Sequence, residues 1–175
     1  LGSMLVSVDA GDEVLVPNPG FPTYESITSL AGAHPVCYPM SADDSFRFSV
    51  DALEKLITKK TRAVVINSPS NPTGHIIPDS ELKGLATLAD AHDLMVISDE
   101  VYHEFYYGER CPSFLDVSGR GLVVNSLSKT EAMTGWRIGW TVGPPEFISA
   151  ITAVNQHSVT CAPTLSQRVA LRALG

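Results

Sequence analysis

The chain has 175 residues, 44% of them hydrophobic and 18% charged, a composition that supports one buried core and excludes a disordered tail or a collagen-like fibre. Lys and Arg number 12 against 19 Asp and Glu, for a net charge of −7, and no stretch gathers the basic residues into a stripe, which argues against nucleic acid as a partner. The longest apolar runs, such as Ala63-Val64-Val65-Ile66 and Leu94-Met95-Val96-Ile97, fall far short of the ~18–20 residues of a membrane helix, so no membrane partner is expected.

Residues 1–8 read as the tail of a helix. A β-branched run predicts a strand over 13–17, followed by a helix over 23–31, a strand over 35–38 and a helix over 50–58. A strand over 63–67 leads to the clearest helix, 79–92, which Asp79 or Ser80 can cap and whose Leu82, Leu85, Ala86 and Ala89 fall on one face. Strands over 94–98, 122–125 and 138–142 come next, and helices over 144–157 and 163–174 close the chain. Several strands are apolar on consecutive residues, as burial on both faces of a parallel sheet requires. The alternation predicts one doubly wound α/β domain over 1–175, a mostly parallel sheet with helices on both faces. The untidy ends lead to the expectation of a fragment of a longer chain.

Cys37, Cys111 and Cys161 are odd in number and widely spaced, which points away from a disulfide framework and towards a reducing compartment, with the cytoplasm as the expected location. His34, His75, His92, His103 and His157 are scattered, so no metal site is expected, and His103-Glu104 reads as a solvated helix face. Sequence signatures of hydrolases, zinc proteases and P-loop nucleotide-binding proteins are missing.

In an open α/β sheet, ligands sit at the carboxyl ends of the strands, and four polar clusters stand there: Asn67 to Gly74, Asp99-Glu100-Val101-Tyr102, Ser126-Leu127-Ser128-Lys129, and Arg137 just before the last strand. Each has an ordinary explanation when taken alone. Asn-Pro-Thr-Gly is good turn chemistry, a Ser-x-Ser caps a helix, an acidic pair suits a helix start, and a single lysine is usually solvated.

Taken in order, Asn71-Pro72-Thr73-Gly74, Ser98-Asp99-Glu100-Val101-Tyr102, Ser126-Leu127-Ser128-Lys129 and Thr134-Gly135-Trp136-Arg137-Ile138-Gly139 closely resemble the large domain of class I/II aminotransferases, the pyridoxal 5'-phosphate enzymes of fold type I in the aspartate aminotransferase superfamily. The resemblance runs from about Asp9 to the C-terminus. It implies that Lys129 forms the Schiff base with the cofactor and moves the substrate proton. It assigns Asp99 to the ring nitrogen, Tyr102 and Asn71 to the phenolic oxygen, and Ser126, Ser128 and Arg137 to the phosphate, with backbone N–H groups near Lys129 as further donors. Phe21, in Asn18-Pro19-Gly20-Phe21-Pro22-Thr23-Tyr24, matches the aromatic that stacks on the pyridine ring. A site out of water and near cations would help Lys129 to lose its proton.

The same resemblance implies transfer of an amino group between an L-amino acid and a 2-oxo acid, in a homodimer with active sites at the interface. Glu131 stands where many relatives have an aromatic residue. The family's upstream glycine-rich phosphate loop and its C-terminal small domain, which carries the arginine for the substrate carboxylate, are not matched, so the isolated chain is expected to be inactive and to hold the cofactor weakly. Two alternatives share the scaffold: a C–S β-lyase and a non-catalytic cofactor-binding effector domain of a regulator.

Overall fold

The computed structural model describes all residues, 1–175. Its centre is a six-stranded sheet in the order β2-β1-β3-β4-β5-β6, formed by β1 (Glu13–Asn18), β2 (His34–Pro39), β3 (Thr61–Asn67), β4 (Met95–Asp99), β5 (Gly121–Ser126) and β6 (Gly139–Val142). The first five strands run parallel, and β6 pairs antiparallel with β5 at one edge. Seven helices accompany them: α1 (Gly2–Leu5), α2 (Thr23–Leu30), α3 (Val50–Glu54), α4 (Asp79–His92), α5 (Leu127–Thr130), α6 (Pro145–Ser158) and α7 (Thr164–Ala173). None is long and apolar enough to cross a membrane.

Consecutive apolar residues in the central strands serve two cores because successive side chains leave opposite faces. Leu15, Val64, Ile66 and Val96 pack with Leu53 of α3 and Leu82, Leu85 and Ala89 of α4, whereas Val14, Val16, Ala63, Val65 and Ile97 pack with Met4 of α1 and Tyr24 of α2. Each fully buried aliphatic side chain contributes about 1.5–3 kcal/mol. A third, small cluster joins Leu127 of α5 and Met133 to Ala170 of α7. The sheet is thereby fixed from both sides, and its carboxyl rim is free to carry polar groups.

The structure departs from the sequence reading in places with clear local causes. Neither Asp79 nor Ser80 caps α4: extended Pro78 occupies the cap position with no side-chain acceptor, and Asp79 instead pairs with Lys83 at 2.6 Å within the first turn. The helix expected over 50–58 ends at Glu54, because Thr58 and Thr61 bond to one another in the turn leading into β3. His103 and Glu104 lie in a turn and not on a helix, and His103 is only 6% exposed, with Nδ1 3.5 Å from the Glu104 carboxylate and no partner for Nε2. Within this turn the His103 N–H donates to the Glu100 carbonyl. The three cysteines are unpaired, and no cluster of His, Cys, Asp or Glu has the arrangement to hold a metal ion.

Candidate active site

The parallel register sets Asn67 level with Asp99, and Asp99 level with Val124, so β3 and β4 end together while β5 runs two residues further, to Ser126. Above them opens a cleft of about 360 Å³. It is lined by all the side chains singled out from the sequence: Phe21, Asn71, Asp99, Tyr102, Ser126, Ser128, Lys129 and Arg137. Their convergence follows from strand order, since residues distant in sequence leave neighbouring strands at one level.

Asp99 forms part of the floor and is the most constrained of them. Its Oδ2 accepts a 2.8 Å hydrogen bond from the Tyr24 hydroxyl, and its Oδ1 accepts the Val101 N–H at 3.2 Å. Burial pushes the Asp99 carboxyl above its usual range and Glu100 adds to this, while the two donors pull it back. The Tyr24 hydroxyl is itself pushed well above the ordinary tyrosine range, chiefly by burial and then by the Asp99 charge, so it stays a proton donor. The result is a half-buried carboxyl group at the cleft, held from two sides.

Tyr24 was not marked from the sequence. It follows Phe21 by three residues at a helix start, and a tyrosine buried to 6% exposure needs a partner for its hydroxyl. Phe21 packs edge-on against it at 5.7 Å between ring centroids and is itself 42% exposed. That exposure is inconsistent with an ordinary core phenylalanine and leaves an aromatic face at the cleft. Gly20 permits the preceding turn, since a Cβ there would overlap the Pro17 carbonyl.

The opposite side of the cleft is built on α5. Ser126 caps this short helix, its Oγ accepting the Ser128 N–H at 3.2 Å. That bond uses an N–H expected to face an anion, yet it leaves the Ser126 hydroxyl proton free to donate. Leu127 is buried and anchors the turn, whereas Lys129 is exposed. The expectation of a lysine withdrawn from water is therefore not met in this chain, because α5 stands at the rim with only Leu127 turned inward. The Lys129 Nζ lies 5.8 Å from the centroid of the Tyr102 ring, which places amine and phenol at the same edge of the cleft.

Arg137 reaches the cleft from a left-handed backbone conformation, φ 50° and ψ 50°, a strain of about 1–3 kcal/mol for a residue with a Cβ. One arm of its guanidinium donates to the Thr134 carbonyl at 2.8 Å, leaving other donors for an anion. Next to it, Gly139 pairs with Ser126, and a Cβ there would sit 2.7 Å from the Asn125 carbonyl oxygen and 2.9 Å from Ser126 Cβ. A side chain at 139 would push β6 away from the serine that caps α5.

In Tyr24→Phe, the Asp99 carboxyl is expected to titrate at higher pH than in the unsubstituted protein, because burial remains while a donor to the ionised form is removed. Carboxyl-carbon NMR of the cofactor-free protein measures this. An unchanged or lowered midpoint would show that Tyr24 does not stabilise the charge.

The family model for aminotransferase class I and II matches residues 1–175. The chain is 42% identical over 168 residues to an aspartate aminotransferase of Pyrococcus abyssi, a match covering 94% of this chain and 43% of that protein. It is equally 42% identical over 167 residues to aromatic-amino-acid aminotransferase 2 of Thermococcus litoralis, covering 93% and 43% respectively. The solved structure of the Thermus thermophilus aspartate aminotransferase with maleate superposes with a TM-score of 0.96 at 37% identity, over 99% of this chain and 46% of that one. The chain thus spans less than half the length of the relatives it matches.

Proposed function

The chain belongs to the class I and II aminotransferase family, and we propose that residues 1–175 form the cofactor-binding domain of a pyridoxal 5'-phosphate-dependent aminotransferase, which moves an amino group between an L-amino acid and a 2-oxo acid. The observation that carries this reading is the content of one cleft: an amine, a half-buried carboxyl group, an exposed aromatic face, two serine hydroxyls and a guanidinium. That donor set fits a flat, anionic, nitrogen-containing ring bearing an aldehyde. When bound, the cofactor supplies an aldehyde that takes up amines and a ring that accepts electrons from the substrate α-carbon.

The roles of the chain's own residues are those that the family resemblance implies, and their chemistry suits them. Lys129 would hold the cofactor through Nζ, and the same nitrogen would move the proton of the amino-acid α-carbon. Asp99 accepts the proton-bearing pyridine nitrogen at its carboxylate and keeps that nitrogen cationic. Tyr102 and Asn71 donate to the phenolic oxygen and orient the ring, while Phe21 covers one face and excludes water from it. Arg137, Ser126 and Ser128 bind the phosphate with a planar fork and two hydroxyl donors.

We place the complete protein in the cytoplasm, a reading supported by the unpaired cysteines, and take it to be a homodimer acting on small molecules, as the family resemblance implies. The test uses the intact protein, loaded with cofactor and given a panel of amino acids with 2-oxoglutarate or pyruvate. Aspartate and aromatic amino acids come first, because the names of two relatives carry them. Transfer of the amino group to the oxo acid is expected. Release of ammonia and a thiol from cysteine-type substrates would favour a C–S β-lyase, and a spectral change without product would favour an effector domain; either overturns the transaminase reading.

A further inference from the structure

Asn67 closes β3 with its side chain 4% exposed, and it touches two residues of the site without being assigned to it. Its Nδ2 donates to the Asp99 carbonyl oxygen at 2.8 Å, and its Oδ1 accepts the Asn71 N–H at 2.7 Å. The Asp99 carbonyl has a second donor in the Ser68 N–H at 3.2 Å. The Asn71 N–H, by contrast, is held by the Asn67 amide, while the rest of its loop is closed by the Ser70 N–H on the His75 carbonyl and the Gly74 N–H on the Ser70 carbonyl. One buried amide therefore joins the ends of two neighbouring strands to the residue from which the loop turns. Only a side chain with a donor and an acceptor on one planar head can do both: a carboxylate lacks the donor, and a leucine of similar shape lacks both.

We propose that Asn67 is a positioning residue that fixes Asn71 relative to Asp99, so that the contacts to the cofactor's phenolic oxygen and ring nitrogen are set as one unit. The inference rests on the cofactor reading above. It predicts that loss of the Asn67 amide weakens the hydrogen bond from Asn71, and that this effect appears in the electronic state of the bound cofactor as well as in stability.

The experiment is a pH titration of the visible absorption of the cofactor-loaded intact protein, unsubstituted and as Asn67→Leu, Asn71→Leu and the double variant. Asn67→Leu should move the midpoint upward, in the same direction as Asn71→Leu, by about half to one pH unit, equivalent to one hydrogen bond. The double variant should move it no further than Asn71→Leu alone, as expected for two residues acting through one contact. If Asn67→Leu does not fold, Asn67→Ser, whose hydroxyl is too short to reach the Asn71 N–H, should give the same upward shift. An unchanged midpoint in a folded Asn67 variant, or additive shifts in the double variant, overturns the positioning role and leaves the cofactor reading intact. No visible band in the unsubstituted protein overturns the cofactor reading itself.

Discussion

Lys129→Ala in the intact, cofactor-supplied protein is expected to reduce amino-group transfer by at least about 10⁴-fold, the upper range for proton transfer by a positioned side chain, with the loss of covalent holding added to it. Borohydride treatment of the unsubstituted protein followed by peptide mapping should place the pyridoxyl group on Lys129. The competing amines are Lys55, Lys59, Lys60 and Lys83, which are just as exposed. Exposure therefore does not select the lysine. Selection comes from location: Lys59 and Lys60 precede β3 at the amino end of the sheet and Lys83 is tied to Asp79, whereas Lys129 alone lines the cleft that also holds Asp99. Label on another lysine, or substantial turnover in Lys129→Ala, would remove the central assignment.

Much of this arrangement was legible before any coordinates. Val14-Leu15-Val16 and Ala63-Val64-Val65-Ile66 are apolar at every position, which only a strand covered on both faces tolerates, and both are buried in the central sheet between two helical layers. The polar clusters converge because strand ends in a parallel sheet share one rim, so the order of motifs was enough to bring Asn71, Asp99, Tyr102 and Lys129 together. What escaped was whatever depends on a side chain crossing the fold. The Tyr24 hydroxyl bonds a residue 75 positions away, and no periodicity encodes that distance. The inward-facing ring of His103 sits in a turn that the sequence reads as a helix face, and the cap position of α4 is taken by an extended Pro78 rather than by the nearest capping residue, although the helix itself spans the expected residues. The antiparallel direction of β6 arises because the chain after β5 passes through α5 and a short 3₁₀ turn and comes back along the same rim, so Ser126 and Arg137 flank one reversal.

Asp99→Asn is expected to give two changes of opposite sign, and their opposition distinguishes a functional carboxylate from a structural one. Transamination by the loaded protein should fall by about 10²–10³-fold or more, because a neutral amide cannot hold a pyridine nitrogen in its cationic form, and removal of a preorganised electrostatic group costs at least this much. The cofactor-free protein, by contrast, should melt at a higher temperature at pH 7. Burial raises the Asp99 carboxyl above its ordinary value of 3.8, so between 3.8 and the raised folded value the native state binds more protons than the unfolded chain. Stability contributed by this group is then full below 3.8 and is lost as pH rises through the folded value, leaving the ionised side chain unfavourable at neutrality. An asparagine carries no such charge, and its Oδ1 can still accept one of the two existing donors, the Val101 N–H or the Tyr24 hydroxyl. Differential scanning fluorimetry across pH should show the gain at pH 7 shrinking as the pH approaches 3.8, where Asp99 becomes neutral as well. A lower melting temperature in Asp99→Asn at pH 7 would mean that the carboxylate holds the strand ends together in its own right, and near-normal turnover would remove it from the ring nitrogen.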